Sequence, residues 1–373
     1  MAETAPTVLV LTAGFGDGHN SAARSIAAAV QQESGGRVGV VVADLFEDAA
    51  PVTGAVYKWG YRQMITHLPW LWHWLFKVSK KGDFGSLWWD RLVGIGPALE
   101  CRLREQRPQA LVMTYPVYPY FLAQAGPAVP RPDWVSMVVT DSITIHPIWL
   151  HGRVDRLYVT DDFSQAVARA GLVWPVPVEV SGFPVAPEYA GFPARTGEGD
   201  PACLKVLYFA TAARSHVRPT LRGLLENLPE GARMTIVMGR HEARLRPAVR
   251  ELLEAFPRIP VELIGWTREV PRLLMGHDVV ISKAGGATVH ECFAAGVPVM
   301  VNFIIPGQEE GNADLLERLG CGCRSLVPGE TGPLLAAMQA DGRLASMRRA
   351  MASHRRPDGA LLIAREILQA ISP

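Results

Sequence analysis

The strongest constraint on this chain is an alternation: apolar runs short enough to be buried strands recur between helix-length amphipathic stretches. In the first half the runs are TVLVLTA, VGVVVAD, ALVMTYP, WVSMVVTD and DRLYVTDD; after a break come CLKVLYFAT, RMTIVMG, VELIG, DVVISKA and VPVMVNF. Such Val/Ile/Leu-rich runs between helices specify parallel sheets covered by helices on both faces. Two series predict two doubly wound α/β domains, and 373 residues suit two cores better than one. The proline- and glycine-rich stretch SGFPVAPEYAGFPARTGEGDP at 181–201 keeps no helical or strand period and reads as the hinge. The expected division is 1–183, a linker at 184–200, a second domain at 201–345, and a helical segment at 346–373. That last segment, interrupted at Pro357, is expected to pack back across the hinge.

Charge and cysteine content exclude several classes of function. With 37 basic and 36 acidic side chains the net charge is +1, so the field that draws a protein to nucleic acid is missing and no nucleic-acid partner is expected. Five scattered cysteines fit reduced thiols rather than a disulfide framework, and Cys321-Gly-Cys323 lacks the second pair a zinc site needs. No metal or cofactor is expected. The start has no basic n-region, and the longest uncharged stretch, 108–130, is broken by Pro116, Pro119 and Pro127. Neither a signal peptide nor a spanning helix is therefore predicted, and a cytoplasmic location follows.

The segment TVLVLTAGFGDGHNSAARSIAAAV runs from a strand into a helix through Gly14, Gly16 and Gly18. Glycines let a ligand approach the backbone, and the helix N-terminus offers free N–H groups and partial positive charge. A dinucleotide fingerprint would place glycine at position 19, which is His19. The oxidoreductase reading therefore rests on Asp44 alone as a ribose acceptor. His19, in the first helical turn at the carboxyl edge of a sheet, suits a general base, since the positive helix end favours its neutral form; it could also merely cap or pack. Asp141, at the end of a later strand, could orient His19 as carboxylates orient catalytic imidazoles, or cap the next turn. His146 and Trp149 follow it and could line an acceptor path or pack.

In DVVISKAGGATVHECFAAGVPVMVNF a strand again leads through Gly285 and Gly286 into a helix, with the Thr288 hydroxyl as an added donor. This is the physics of a diphosphate cradle, able to stabilise charge on a departing nucleotide diphosphate. Glu291, one turn on, suits a ribose hydroxyl, or is a solvated carboxylate. Gln308, Glu309 and Asn312 in IPGQEEGNADLL supply the polar density a sugar needs.

Between Pro51 and Gly82 there is no acid, while Lys58, Arg62, Lys77, Lys80 and Lys81 interleave with Trp59, Trp70, Trp72 and Trp74. Tyr57, Tyr61, Ile65, Leu68, Trp72 and Phe76 recur at helical spacing. Tryptophan beside lysine and arginine fits a helix in the headgroup layer of an anionic membrane; a core stripe with a solvated basic face is the alternative.

Taken together, GFGDGHNSAA, TDSITIHPIW, SGFPV, VMGRHEARL, SKAGGATVHECFAAGVPV and PGQEEGNA, in this order, resemble the monogalactosyldiacylglycerol synthase and processive diacylglycerol glucosyltransferase family. More remotely they resemble the cell-wall N-acetylglucosaminyltransferase that acts on lipid-linked precursors. The resemblance implies a GT-B fold, two Rossmann-like domains facing across a cleft. It also implies an inverting transfer from UDP-glucose or UDP-galactose to diacylglycerol or a related lipid at the cytoplasmic face of the membrane. It makes His19 the general base, Gly285, Gly286 and Thr288 the diphosphate segment, Glu291 the ribose ligand, and Gln308 and Glu309 the sugar pair. Arg240, in VMGRHEARL, joins the donor site. The chain departs from the family after the first strand of the second domain, where YFATAARSHVRP has no glycine; Arg214 or His216 is expected to supply phosphate contacts there. That departure keeps open a non-catalytic, nucleotide-sugar-binding regulator of the same fold.

Overall fold

The computed structural model describes residues 6–48, 94–193, 203–210, 214–305, 307 and 309–372, with Gly54, Val56, Trp59, Gly60, Gln63, Met64, Leu68, Leu71 and Trp74 between the first two spans. The chain forms two units. One comprises Met1–Pro187, Pro306–Gly311 and Asp358–Pro373; the other comprises Glu188–Ile305 and Asn312–Pro357.

The first unit is built on six parallel strands: β1 (Thr7–Thr12), β2 (Gly39–Asp44), β3 (Ala110–Met113), β4 (Trp134–Val138), β5 (Arg156–Val159) and β6 (Val178–Val180). Their spatial order is β2-β1-β3-β4-β5-β6. Residues alternate between the two faces of β1, as the two-residue strand period requires. Leu9 and Leu11 join Leu111 and Met113 on one face, and Val8 and Val10 join Val112 on the other. All seven side chains are fully buried, each worth roughly 1.5–3 kcal/mol relative to exposure.

Helix Asp17–Ser34 covers the Val8/Val10 face together with the C-terminal helix Gly359–Ala370. That second helix buries Ala360, Ile363, Ala364 and Ile367, the one-face spacing of an amphipathic helix. Arg365 pairs with Glu33 at 2.9 Å, and Glu366 accepts from the Tyr158 hydroxyl at 2.7 Å. Gly359 cannot be enlarged, because a Cβ there would lie 2.7 Å from the Phe183 carbonyl oxygen. The stretch on either side of Pro357 is helical, in Arg343–Ser353 and Gly359–Ala370.

The second unit repeats the architecture with β7 (Lys205–Phe209), β8 (Arg233–Val237), β9 (Val261–Ile264), β10 (Val279–Lys283), β11 (Val299–Phe303) and β12 (Gly322–Arg324), all parallel. Their order is β12-β11-β10-β7-β8-β9. Arg355 ties the segment that enters this unit to its core: the guanidinium donates to the carbonyls of Tyr189, Phe192 and Ala294 at 2.9, 2.7 and 2.7 Å. In each sheet the strand order reverses once, between β1 and β3 and between β7 and β10. At such reversals the flanking helices diverge to opposite faces and leave a crevice at the carboxyl ends of the strands, where open α/β sheets bind ligands. Among the described residues, no helix is long and apolar enough to cross a membrane.

Candidate active site

The crevice of the first unit is bridged by His19. It lies in the first turns of helix Asp17–Ser34, which enters from β1, and Thr114 follows β3 directly. The imidazole Nδ1 sits 2.8 Å from the Thr114 carbonyl oxygen and 3.0 Å from Thr140 Oγ1, just beyond β4. A carbonyl can only accept, so Nδ1 carries the hydrogen and Nε2 the lone pair. Tyr115 meets the ring edge-on at 5.1 Å between centroids, and Trp149 lies tilted at 5.9 Å. Phe15 stacks on Tyr115 and meets Phe46 edge-on. Among these aromatic rings burial pulls the His19 pKa down to about 4, a pull the Thr114 hydrogen bond only partly offsets. The residue is half-buried, so an edge stays within reach of solvent while the imidazole is held neutral.

The glycine turn is shaped for space rather than for unusual backbone angles. Gly16 is extended at φ −167°, a conformation open to any residue. A Cβ added at Gly16 or Gly18 would meet nothing within 4 Å. Asp44 ties this turn down: its carboxylate accepts from the N–H of Gly14 at 2.7 Å and of Phe46 at 3.0 Å. The carboxylate that the oxidoreductase reading required for a ribose hydroxyl is thus engaged by the protein's own backbone.

Asp141 occupies a different place from the one expected of an orienting carboxylate. Its Oδ2 accepts from the Trp149 indole Nε1 at 2.8 Å, while the Nδ1 edge of His19 faces Thr114 and Thr140. His146 is buried at the start of the short 3₁₀ turn Pro147–Leu150, where its Nδ1 accepts from the Ile148 N–H at 3.3 Å. Thr114, Tyr115 and Thr140 were not singled out by the sequence reading.

In the second unit, Gly285 precedes helix Gly286–Ala295 with no side-chain cap, so the first-turn N–H groups have no intrahelical acceptor and point out of the helix end. Thr288 and Glu291 are half-buried along the first turns. Asn312 is 3% exposed; its amide nitrogen donates to the Ala284 carbonyl at 2.9 Å and its Oδ1 has no hydrogen-bond partner. Glu309, in the short 306–311 segment that belongs to the first unit, is buried, and Gln308 lies outside the described residues.

Arg240 is exposed on the 3₁₀ turn that follows β8. Trp266, just past β9, is 56% exposed, with the Arg268 guanidinium 5.5 Å from its ring centre; the sequence reading did not select it. His216 is engaged elsewhere than expected. Its Nε2 donates to the Asn302 carbonyl at 2.6 Å, so that nitrogen is taken by the protein's own backbone. Among the described residues no group of three or more His, Cys, Asp or Glu side chains could hold a metal ion.

Of the residues assigned to the aromatic and basic stretch, Trp59 and Trp74 are 64% and 57% exposed, so neither is a core residue. Arg62, Trp70, Trp72 and Lys77 lie outside the described residues.

The family model described as monogalactosyldiacylglycerol (MGDG) synthase matches residues 19–185. A processive diacylglycerol beta-glucosyltransferase of Bacillus pumilus is 25% identical over 84% of this chain and 81% of its own. One from Bacillus thuringiensis is 28% identical, covering 98% and 94%. Monogalactosyldiacylglycerol synthase 2 of Arabidopsis thaliana is 26% identical, covering 90% and 74%.

Among solved structures, MurG of Acinetobacter baumannii aligns with a TM-score of 0.63 at 14% identity, over 98% of this chain and 99% of that one. Anabaena HepE, in complex with UDP and glucose, aligns at 0.54 and 13%, over 98% and 99%. The resemblance carried by the ordered motifs is borne out over most of the chain. The fold is of the GT-B class, with two parallel six-stranded sheets flanked by helices.

Proposed function

We propose that this protein is an inverting glycosyltransferase that moves a hexose from UDP-glucose or UDP-galactose to the free hydroxyl of diacylglycerol or a closely related lipid at an anionic membrane surface. The observation that carries this reading is the neutral imidazole of His19, with Nδ1 hydrogen-bonded and a lone pair on Nε2. Nε2 takes the proton of the acceptor hydroxyl, and the oxygen's electron pair forms the new bond to the anomeric carbon. The bond from that carbon to the β-phosphate oxygen breaks, and its electrons leave with UDP. One in-line displacement inverts the configuration.

The leaving diphosphate is stabilised by the first-turn N–H groups of helix Gly286–Ala295 and by the Thr288 hydroxyl. Glu291 accepts from a ribose hydroxyl, and Glu309, Gln308 and the unpartnered Oδ1 of Asn312 receive sugar hydroxyls. Arg240 adds positive charge to the donor site, and Trp266 offers an aromatic face to the uracil ring. The exposed Trp59 and Trp74 anchor the chain at the cytoplasmic face of the bilayer, so the acyl chains stay in lipid while the headgroup reaches His19.

The test is UDP release from each donor, with and without diacylglycerol in anionic vesicles. Release is expected to depend on acceptor, and His19→Ala is expected to bind UDP normally while losing on the order of 10²-fold or more in transfer. Full activity in His19→Ala, or UDP-sugar binding with no acceptor-dependent release, would overturn the proposal. The second of these results would favour the regulator.

A further inference from the structure

The loop that follows β4 is held more rigidly than a connection needs to be. Ile143 adopts φ 56°, the left-handed region that a β-branched residue rarely enters without surrounding structure to hold it there. The restraint is a buried polar network. Ile143 N–H donates to Ser164 Oγ at 2.9 Å, and the hydroxyls of Ser142 and Thr160 are 3.0 Å apart. Thr160 and Ser164 both donate to Asp161 Oδ2 at 2.7 Å. From this fixed loop two side chains reach toward the base: Thr140 contacts Nδ1 of His19, and Asp141 holds the Trp149 indole.

We propose that Asp141 is a positioning residue that acts on His19 through Trp149, locking the indole as a wall of the imidazole's chamber, and that it does not serve as the imidazole's orienting carboxylate. Trp149 is 3% exposed, so its N–H must find an acceptor, and an ionised carboxylate makes a stronger and better-aimed one than a neutral oxygen. The locked ring keeps water off His19, and the hydrogen of Nδ1 goes to the neutral Thr114 carbonyl. A carboxylate placed on Nδ1 would stabilise the imidazolium and raise its pKa. Other ionisable groups on the surrounding elements include Asp17, Arg24 and Glu33 on the histidine's own helix, Tyr115 and Tyr118 after β3, His146 after β4, and Asp44, whose oxygens hold the Gly14 and Phe46 N–H groups. The kinetic arm below rests on the glycosyltransferase reading; the titration arm does not.

The experiment titrates the His19 imidazole by NMR in the whole protein and in Asp141→Asn, Asp141→Ala, Trp149→Phe and the Ala/Phe double variant, with acceptor-dependent kcat/KM measured alongside. In Asp141→Asn the amide oxygen still accepts the indole N–H, so His19 is expected to titrate as in the parent, with activity within about tenfold. Asp141→Ala and Trp149→Phe are both expected to raise the His19 pKa toward the ordinary value of about 6.5. The double variant should be no worse than either single change, the signature of two groups acting as one unit.

The direct-carboxylate role predicts the reverse pattern. There Asp141→Asn would be as damaging as Asp141→Ala, with losses on the order of 10⁴-fold, and Trp149→Phe would leave the titration unmoved; that pattern overturns the proposal. If Asp141→Ala does not fold, the contrast between Asp141→Asn and Trp149→Phe decides the matter alone. If no sugar is transferred at all, the titrations still do.

Discussion

Lowering the pH should leave His19 neutral well below the range where an imidazole normally takes up a proton. Burial moves its pKa from 6.5 to about 4. At pH 5.5 an imidazole of ordinary pKa is neutral in roughly one molecule in eleven, whereas one of pKa about 4 is neutral in nearly all. The acid limb of kcat/KM, which reports the free enzyme, is therefore expected near pH 4. At pH 5.5 the rate should stay near its neutral-pH plateau, where an ordinary histidine base would have fallen about tenfold below its own.

Stability carries the same signature, with a definite sign. The folded pKa lies below the unfolded one, so between pH 6.5 and about 4 the unfolded chain binds a proton that the folded chain refuses. Stability is unaffected above that window and falls as the pH drops through it, by at most about 3 kcal/mol. Access of solvent to the exposed edge of the half-buried ring reduces this figure. Urea unfolding of the parent and of His19→Gln at pH 7 and pH 4.5 measures it: the parent should lose roughly 1–3 kcal/mol more than the variant between the two conditions. An acid limb at pH 6–6.5 in a protein that is still folded, or identical pH dependence of stability in both proteins, would refute the reasoning.

Other changes have equally definite expectations. Glu291→Ala should weaken UDP-sugar binding by about tenfold, the value of a lost hydrogen bond to a charged group, without moving the thermal midpoint; calorimetric titration reads it. Gly16→Ala should fold as the parent does, because its extended backbone and open surroundings accept a methyl group, yet it should lose acceptor-dependent activity by narrowing the space beside His19. Replacing the exposed Trp59 and Trp74 with glutamate should release the protein from anionic vesicles in a flotation assay and leave binding of free UDP unchanged. A chelator should not alter the transfer rate, since the leaving charge is assigned to a helix end and a hydroxyl; loss of activity with EDTA and recovery with a divalent ion would contradict that assignment.

Most of the strands that could be read from sequence have side chains buried in unbroken runs, such as Val8–Leu11 and Val279–Ser282; β2 and β9, which are half-exposed, were read from their short valine- or leucine-bearing runs. β6 and β12 could not, because each is a three-residue strand at a sheet edge with a single buried residue, Val178 or Gly322. His19 was legible because a glycine turn leading into a helix is a local pattern. Thr114 and Thr140 were not: they lie 95 and 121 residues away in sequence and reach the imidazole only because β3 and β4 are laid beside β1. Asp141 was visible as a candidate, but its partner was not, since the choice between an imidazole and an indole is made by the course of a loop held by Asp161, Thr160 and Ser164. The partner of His216 was hidden for a similar reason. Its ring nitrogen is claimed by the carbonyl of Asn302 on β11, a neighbour only through the sheet order.

The most direct test of the central claim is the structure of the product. Incubation with UDP-glucose or UDP-galactose and diacylglycerol in anionic vesicles, followed by NMR of the purified lipid, should reveal one new glycolipid whose anomeric carbon has the configuration opposite to that in the donor. A product with retained configuration, or free hexose as the only sugar released, would contradict it.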